Sequence, residues 1–298
     1  MDEMTMSEQF LGAFIPIHYH YNMLLDDVRM SSFRGAIDCL TPLGGKALEL
    51  GGGTGVLSHY AAQKASRVWC IERNPELVSA ARRFLELNHS TGRVEVIQAD
   101  AREYLPPERV DVVICEMLHV ALAREKQIEV IDSFQRRYLE MFGPPLPAFI
   151  PEASLLAVQP VEQSFEFNGY TAPIPLFQTP GAEHASTRGL SQTAVYSSVE
   201  YGRSLPTHFD IRVDFSVAQS GTLNAVRFVT KNLLALQVSV SRAIEWSNQY
   251  LVAPLEEPLA VRAGEVITIS SNYAAGCELN QLVSSVQACR KNQHRAAA

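Results

Sequence analysis

The sequence predicts an α/β half built on a parallel sheet, followed by an all-β, barrel-like half. Three observations carry that reading. Short apolar runs alternate with helix-patterned segments from Lys46 to about Ile150. The texture changes after Gly143-Pro144-Pro145-Leu146-Pro147, where the runs become short, β-favouring and punctuated by turn residues. A glycine-rich loop, Glu49-Leu50-Gly51-Gly52-Gly53-Thr54-Gly55, sits at the junction of the first apolar run and the first helix of that series.

Taken in order, Met23 to Leu40 carries a helical pattern placed to cap the sheet. Ala47–Leu50 is the first strand, and Val56–Gln63 the helix after it. Arg67–Ile71 is the second strand, Pro75–Leu87 the next helix, and Val94–Gln98 and Val110–Cys115 the third and fourth strands. From Glu125 to Met141, Ile128, Ile131, Phe134 and Tyr138 recur near helical spacing. Strands separated by helices imply βαβ units and hence parallel pairing. Beyond Ser154 the expected strands include Leu155–Val158, Ile211–Val217, Leu223–Thr230, Leu234–Val240 and Val266–Ser270. Asn168 to Arg188, rich in Pro and Gly, reads as a long loop. The expected division is 1–45, 46–150 and 151–298: a helical lead-in, the α/β domain and the β domain.

Composition narrows the partners. Of 298 residues 47% are hydrophobic and 19% charged, enough apolar material for a sizeable core and against a disordered chain. Lys and Arg number 25 against 32 Asp and Glu, a net charge of −7. A whole-chain basic footprint for nucleic acid is missing, whereas cationic substrates would be attracted. Cys39, Cys70, Cys115, Cys277 and Cys289 are odd in number and form no C-x-x-C pair, so neither a disulfide framework nor a metal site is expected. Met1 to Phe10 is acidic and polar, with no apolar leader, and no run of about 18 apolar residues suggests a membrane span. A cytoplasmic protein without nucleic-acid or membrane partners is expected.

Three cofactor readings compete for the glycine loop. A dinucleotide fingerprint places Val56 where its third glycine belongs, and a P-loop requires a lysine that does not follow Gly55. An E/D-x-G-x-G-x-G loop for the amino-acid end of S-adenosylmethionine matches at Glu49, Gly51, Gly53 and Gly55. Supporting acids close the next two strands. Glu72 is placed to accept the ribose hydroxyl protons, and Asp100, with the backbone N–H of Ala101, to read an adenine edge.

After the fourth strand, Glu116 and Glu125 stand nine positions apart. Here the chain resembles the protein arginine methyltransferases, whose "double-E" loop carries two glutamates at this spacing. His20-Tyr21-Asn22-Met23-Leu24-Leu25-Asp26-Asp27-Val28-Arg29 is similar to the family's H-x-x-M-L-x-D-x-V-R helix, and Glu245-Trp246 falls near its T-H-W. The resemblance runs from about Phe14 to Asn280 and is dense to Phe142. It implies a Rossmann-like class I methyltransferase domain with a β-barrel-like substrate domain, and S-adenosylmethionine as cofactor. It further implies that residues 1–45 complete the cofactor site, with Arg29 pairing with the cofactor carboxylate and His20 beside it. Met23 would shape the target-nitrogen pocket, Trp246 would form a substrate wall or barrel core, and a homodimer would form. The sequence departs from the family at Ile244 and Glu245, where Thr-His is usual, at Met117-Leu118-His119, where Trp-Met-Gly is usual, and in the weak helical signal where a dimerisation arm belongs.

Two carboxylates suit a guanidinium, whose pKa of about 12.5–13.8 makes it a poor nucleophile. Acids along its edge draw the charge toward the other nitrogens and leave the target nitrogen richer in electrons. The expected function is methyl transfer to a guanidino nitrogen of an arginine-containing protein or small molecule, with Glu116 and Glu125 as catalytic residues. Glu125 also reads as a first-turn helix acid, Arg29 as a helix-surface charge and His119 as a surface histidine. Two alternatives stay open: a small amine or hydroxyl acceptor with the same cofactor, and a non-catalytic scaffold. Base methylation is disfavoured because no Asn/Asp-Pro-Pro-Tyr follows Cys115.

Overall fold

The computed structural model describes residues 16–237 and 241–291. The expectations for Met1–Phe10, for Phe14 and for the end of the Leu234–Val240 run lie outside the described residues. Helices α1 (His20–Leu25) and α2 (Asp27–Leu40) lead into a series of β1 (Lys46–Leu50), α3 (Val56–Ala61), β2 (Arg67–Glu72), α4 (Pro75–Leu87), β3 (Val94–Gln98), β4 (Val112–Cys115), α5 (Gln127–Phe142) and β5 (Ala148–Ile150). The five strands pair in parallel in the order β3-β2-β1-β4-β5. The chain builds outward from β1 to β3, then returns across β1 to lay down β4. That reversal opens a crevice beyond the carboxyl ends of β1 and β4, where ligands of open α/β sheets bind.

Local chemistry explains the elements. β4 is wholly buried, and β1 is buried from Ala47 onward, as strands covered on both faces must be. Asn74 caps α4 by accepting the Glu76 N–H at 2.9 Å, with Pro75 at the first helical position. The apolar stripe of α5 buries Ile128, Ile131, Phe134 and Tyr138. One boundary corrects the sequence reading: the helix expected from Glu125 begins at Gln127. Arg124 lies in the left-handed region at φ 60°, and its N–H bonds to the Cys277 carbonyl at 2.7 Å, so the chain cannot become helical before Lys126.

The second half is a curled antiparallel β structure. Its elements are β6 (Ala153–Gln163), β7 (Glu166–Phe167), β8 (Tyr170–Thr171), β9 (Leu176–Gln178), β10 (Thr187–Gly189), β11 (Ala194–Glu200), β12 (His208–Ser216), β13 (Gly221–Gln237), β14 (Arg242–Ser247), β15 (Tyr250–Val261), β16 (Val266–Ala274), α6 (Leu279–Ser284) and β17 (Gln287–Arg290). Strand β13 unites two runs that the sequence reading separated, and pairs with β6, β14 and β15. The segment read as a loop from Asn168 to Arg188 instead carries short strands, including a hairpin of β7 and β8 turned at Asn168-Gly169, both at positive φ. The turn suits that pair, since asparagine and glycine tolerate the left-handed region. Helix α2 packs against α3 and against β13 and β14, with Phe33 and Ile37 fully buried, so one apolar cluster runs through both halves.

Candidate active site

The glycine loop turns sharply off β1. The N–H groups of Gly51 and Gly52 both donate to the Ile71 carbonyl, at 2.9 and 2.8 Å. Gly53, at φ +54°, donates its N–H to Glu72 Oε2 at 2.8 Å, and the other oxygen of Glu72 accepts the Asn74 N–H at 2.8 Å. A Cβ on Gly53 would lie 2.8 Å from His20, and one on Gly51 would lie 3.0 Å from Met117, so the backbone approaches the cavity where no side chain fits.

That cavity, of about 490 Å³, brings together His20, Met23, Arg29, Gly51, Gly53, Glu72, Asp100, Ala101, Glu116 and Glu125. A neighbouring cavity of about 1030 Å³ shares Met23 and Arg29, and Trp246 lines this second space, not the first. Two residues expected at the cofactor do not reach either cavity. Glu49 is buried beneath the loop, where it accepts the Ser58 N–H at 2.9 Å and the Ser58 hydroxyl. Gly55 begins α3 and faces Leu85 and Ala81, so its role is close packing of helix on helix.

Charges inside the site are arranged for a cation. The Glu116 side chain is 7% exposed and pairs with the Arg29 guanidinium, which also lies 4.7 Å over the Trp246 ring. Burial raises the Glu116 carboxyl above its ordinary range, while Arg29 pulls it partly back. Glu125 is raised by burial and then by the neighbouring Glu116 charge. Burial, with the Arg29 charge second, lowers His20, whose Nε2 is buried without a partner, as is Arg29 Nε. The Arg102 guanidinium holds the Asp100 carboxyl low through hydrogen bonds to both oxygens.

One residue that shapes the site is missed by the sequence reading. Gln127, 1% exposed, accepts the Met117 N–H at 3.0 Å and donates to the Cys115 carbonyl at 2.9 Å, fixing the peptides on both sides of Glu116. An amide at the start of the helix after the acidic pair was the available signal. Glu245, at the position of the family's loop-holding histidine, pairs at 2.6 Å with Lys231 on the exposed side of β14. His119 is pushed down to about 4 by burial and packs edge-on to Phe177, so it is a neutral ring. Among the described residues no cluster of three His, Cys, Asp or Glu is placed to hold a metal. Nor is any helix among them long and apolar enough to cross a membrane.

The parallel sheet, the glycine turn at its switch point and the acids at successive strand ends define a nucleotide-type cofactor seat. Comparison with known proteins names the class. Residues 47–138 match a family described as a methyltransferase domain. An uncharacterized protein of Methanothermobacter thermautotrophicus is 32% identical over 268 residues, covering 90% of this chain and 97% of its own. Protein arginine N-methyltransferase 6 of Danio rerio is 28% identical over 151 residues, and the match spans 43% of its length. The fold is that of a Trypanosoma brucei PRMT1 enzyme–prozyme heterotetrameric complex with AdoHcy, with TM-score 0.71 and 18% identity over 93% of this chain and 99% of that one. Arabidopsis thaliana protein arginine methyltransferase 10 gives TM-score 0.70 and 16% identity over 87% of this chain and 88% of its own.

Residues 47–138 form a methyltransferase domain of the class I type, whose cofactor is S-adenosylmethionine. Within that class the chain resembles the protein arginine methyltransferases, sharing both the Rossmann-like half and the curled β half. The cavity fits such a cofactor: its glycines exclude side chains, and His20 Nε2 and Arg29 Nε are unspent polar atoms at its wall.

Proposed function

We propose that the protein transfers a methyl group to a guanidino nitrogen of arginine, in a protein or a small molecule. The observation that carries this reading is the buried Glu116, which already holds a guanidinium, that of Arg29, with Glu125 lining the same cavity. The bound cofactor supplies an electrophilic methyl carbon on a sulfonium. Around it, Gly51 and Gly53 give backbone access, Glu72 accepts from the ribose, Asp100 and Ala101 meet the base, and His20 and Arg29 meet the amino-acid end. Met23 borders the target nitrogen, and Trp246 backs Arg29 from the second cavity.

Glu116 and Glu125 grip the acceptor. One carboxylate–guanidinium contact at 4 Å is worth about 4 kcal/mol near a surface before desolvation. Only the part that strengthens toward the transition state accelerates the reaction. The two acids supply that part by drawing charge away from the attacking nitrogen. They also fix its line of attack, and one of them takes the departing proton. Glu245 is paired with Lys231 at the second cavity, apart from the two acids.

A homodimer, a cytoplasmic location consistent with five unpaired thiols, and the division into 1–45, 46–150 and 151–298 belong to the same proposal. The test is incubation with labelled S-adenosylmethionine and a panel of free arginine, basic peptides and cell extract, read by mass spectrometry. Methylation on a guanidino nitrogen, lost by at least a hundredfold in Glu116→Gln and Glu125→Gln, is the expected result. Methylation of amines or hydroxyls alone, or full turnover by both variants, would overturn the reading.

A further inference from the structure

The segment between the two acids is bent in a way its own residues do not favour. Ala121, Leu122 and Arg124 stand at φ 59°, 51° and 60°, three non-glycine residues in the left-handed region within four positions. Left to itself such a segment relaxes, carrying Glu116 and Glu125 out of register with one cavity.

What holds it comes from the other half of the molecule. The Ala121 N–H donates to Thr230 Oγ1 at 2.7 Å, and the Ala121 carbonyl accepts the Tyr273 hydroxyl at 3.0 Å. Three residues upstream, the Leu118 carbonyl accepts Asn248 Nδ2 at 3.0 Å. These three side chains stand on β13, just past β14, and on β16, and all are buried.

Behind Asn248 the polar chain continues inward. Asn232 Nδ2 donates to Asn248 Oδ1 at 2.9 Å, and the Ser154 hydroxyl donates to Asn232 Oδ1 at 2.6 Å. Thr230 and Asn232 lie two residues apart on β13, hence on one face of the strand, and both are fully buried. A buried polar chain that is satisfied throughout is rigid, because each member would lose its partner by moving.

We propose that Thr230, Asn248 and Tyr273 are positioning residues that set the acidic loop from the β half, so that Glu116 and Glu125 meet the acceptor together. This rests on the arginine-methylation reading of the two acids. They act through the loop backbone; Thr230 and Tyr273 line neither cavity, whereas Asn248 also lines the second. The glycine turn and Glu72 are bonded within the α/β half, so loosening the loop leaves them in place.

The test compares Thr230→Val, which keeps shape but removes the acceptor, with Thr230→Ser, which restores it. Asn248→Ala and Tyr273→Phe are run beside them, the latter being the mildest should another variant fail to fold. Calorimetry with S-adenosylhomocysteine is expected to give affinities within twofold of wild type. On the methylated guanidino acceptor, kcat is expected to fall at least tenfold in Thr230→Val and Asn248→Ala with KM for the cofactor unchanged, and to recover within threefold in Thr230→Ser. Amide exchange followed by mass spectrometry is expected to quicken at least tenfold over 116–125 and nowhere in β1 to β3. Wild-type kcat in the variants would overturn the proposal, as would losses of cofactor affinity equal to those of turnover. Should the wild-type protein methylate no guanidine, the proposed function falls, and the exchange arm decides this inference alone: unchanged protection of 116–125 overturns it.

Discussion

Glu49 offers the sharpest quantitative test, because folding buries a carboxyl beneath the cofactor loop with no cation beside it. It is 2% exposed, and burial pushes its carboxyl up from the ordinary 4.5 to about 8, against the pull of its hydrogen bonds from Ser58. A folded-state value above the unfolded one means that the folded protein binds a proton the unfolded chain has released. Stability from this group is therefore fully present below about 4.5 and is lost as pH rises through about 8. At roughly 1.4 kcal/mol per pH unit, the loss is roughly 3 kcal/mol at pH 7 and roughly 5 kcal/mol above pH 8. Glu49→Gln is neutral at every pH and escapes this loss. Urea unfolding of both proteins at pH 5, 6, 7 and 9 gives the difference in unfolding free energy, in which the other titrating groups cancel. That difference should climb in favour of the variant across the interval and level off near pH 9. A difference that stays flat within about 1 kcal/mol would show that the carboxyl is not desolvated by the fold, and the account of the loop's underside would be wrong.

Two more substitutions probe the site. Gly53→Ala forces a Cβ to 2.8 Å from the His20 ring at φ +54°, so cofactor affinity should fall at least tenfold, with about 1 kcal/mol lost in stability. Calorimetry with S-adenosylhomocysteine and thermal unfolding check both, and affinity within twofold of wild type would contradict the close approach. Glu245→Ala removes only an ion pair whose two side chains are 46% and 42% exposed. Such pairs contribute about 0–1 kcal/mol, so unfolding free energy should shift by less than about 1 kcal/mol and turnover should stay at the wild-type level; a tenfold drop in kcat would give that acid a part in the chemistry.

The readable and unreadable parts of this molecule divide by sequence distance. That Gly51, Gly53, Glu72 and Asp100 share one cavity could be read because they close successive strands, and each strand announces itself as a short apolar run. Glu116, Glu125 and the segment from His20 to Arg29 were legible for the same local reason. By contrast, Ala121 meets Thr230 and Tyr273 at separations of 109 and 152 residues, and Leu118 meets Asn248 at 130. Nothing in the periodicity of β13 or β16 tells which loop those polar residues will serve. The pairing of Arg29 with Glu116 is likewise a tertiary event between a helix and a strand end. The hairpin at Asn168-Gly169 is a different kind of miss: its turn signal was present, but the surrounding prolines and glycines drew the segment toward a loop reading. At Glu125 the apolar spacing of the coming helix suggested a start two residues early, because periodicity carries no trace of the left-handed turn at Arg124.

The placement of strain gives these details a common sense. At the site, three left-handed glycines, Gly51, Gly53 and Gly55, occupy the cofactor loop, where the backbone can hold its shape without outside help. Three left-handed residues that are not glycines, Ala121, Leu122 and Arg124, occupy the acidic loop, and each has its backbone bonded to the β half: Ala121 to Thr230 and Tyr273, Leu122 to Gly276, and Arg124 to Cys277. A loop that is strained and held from outside has its geometry only while both halves are docked, whereas a glycine turn has its own. The glycine turn therefore takes its shape from the first half, although Arg29 at the cavity wall lies over Trp246 of the β half, and the bend between the two acids belongs to the contact between halves. Substitutions along that contact should act on turnover before they act on cofactor binding, and the reverse order would place the origin of the acidic loop's shape within the α/β half.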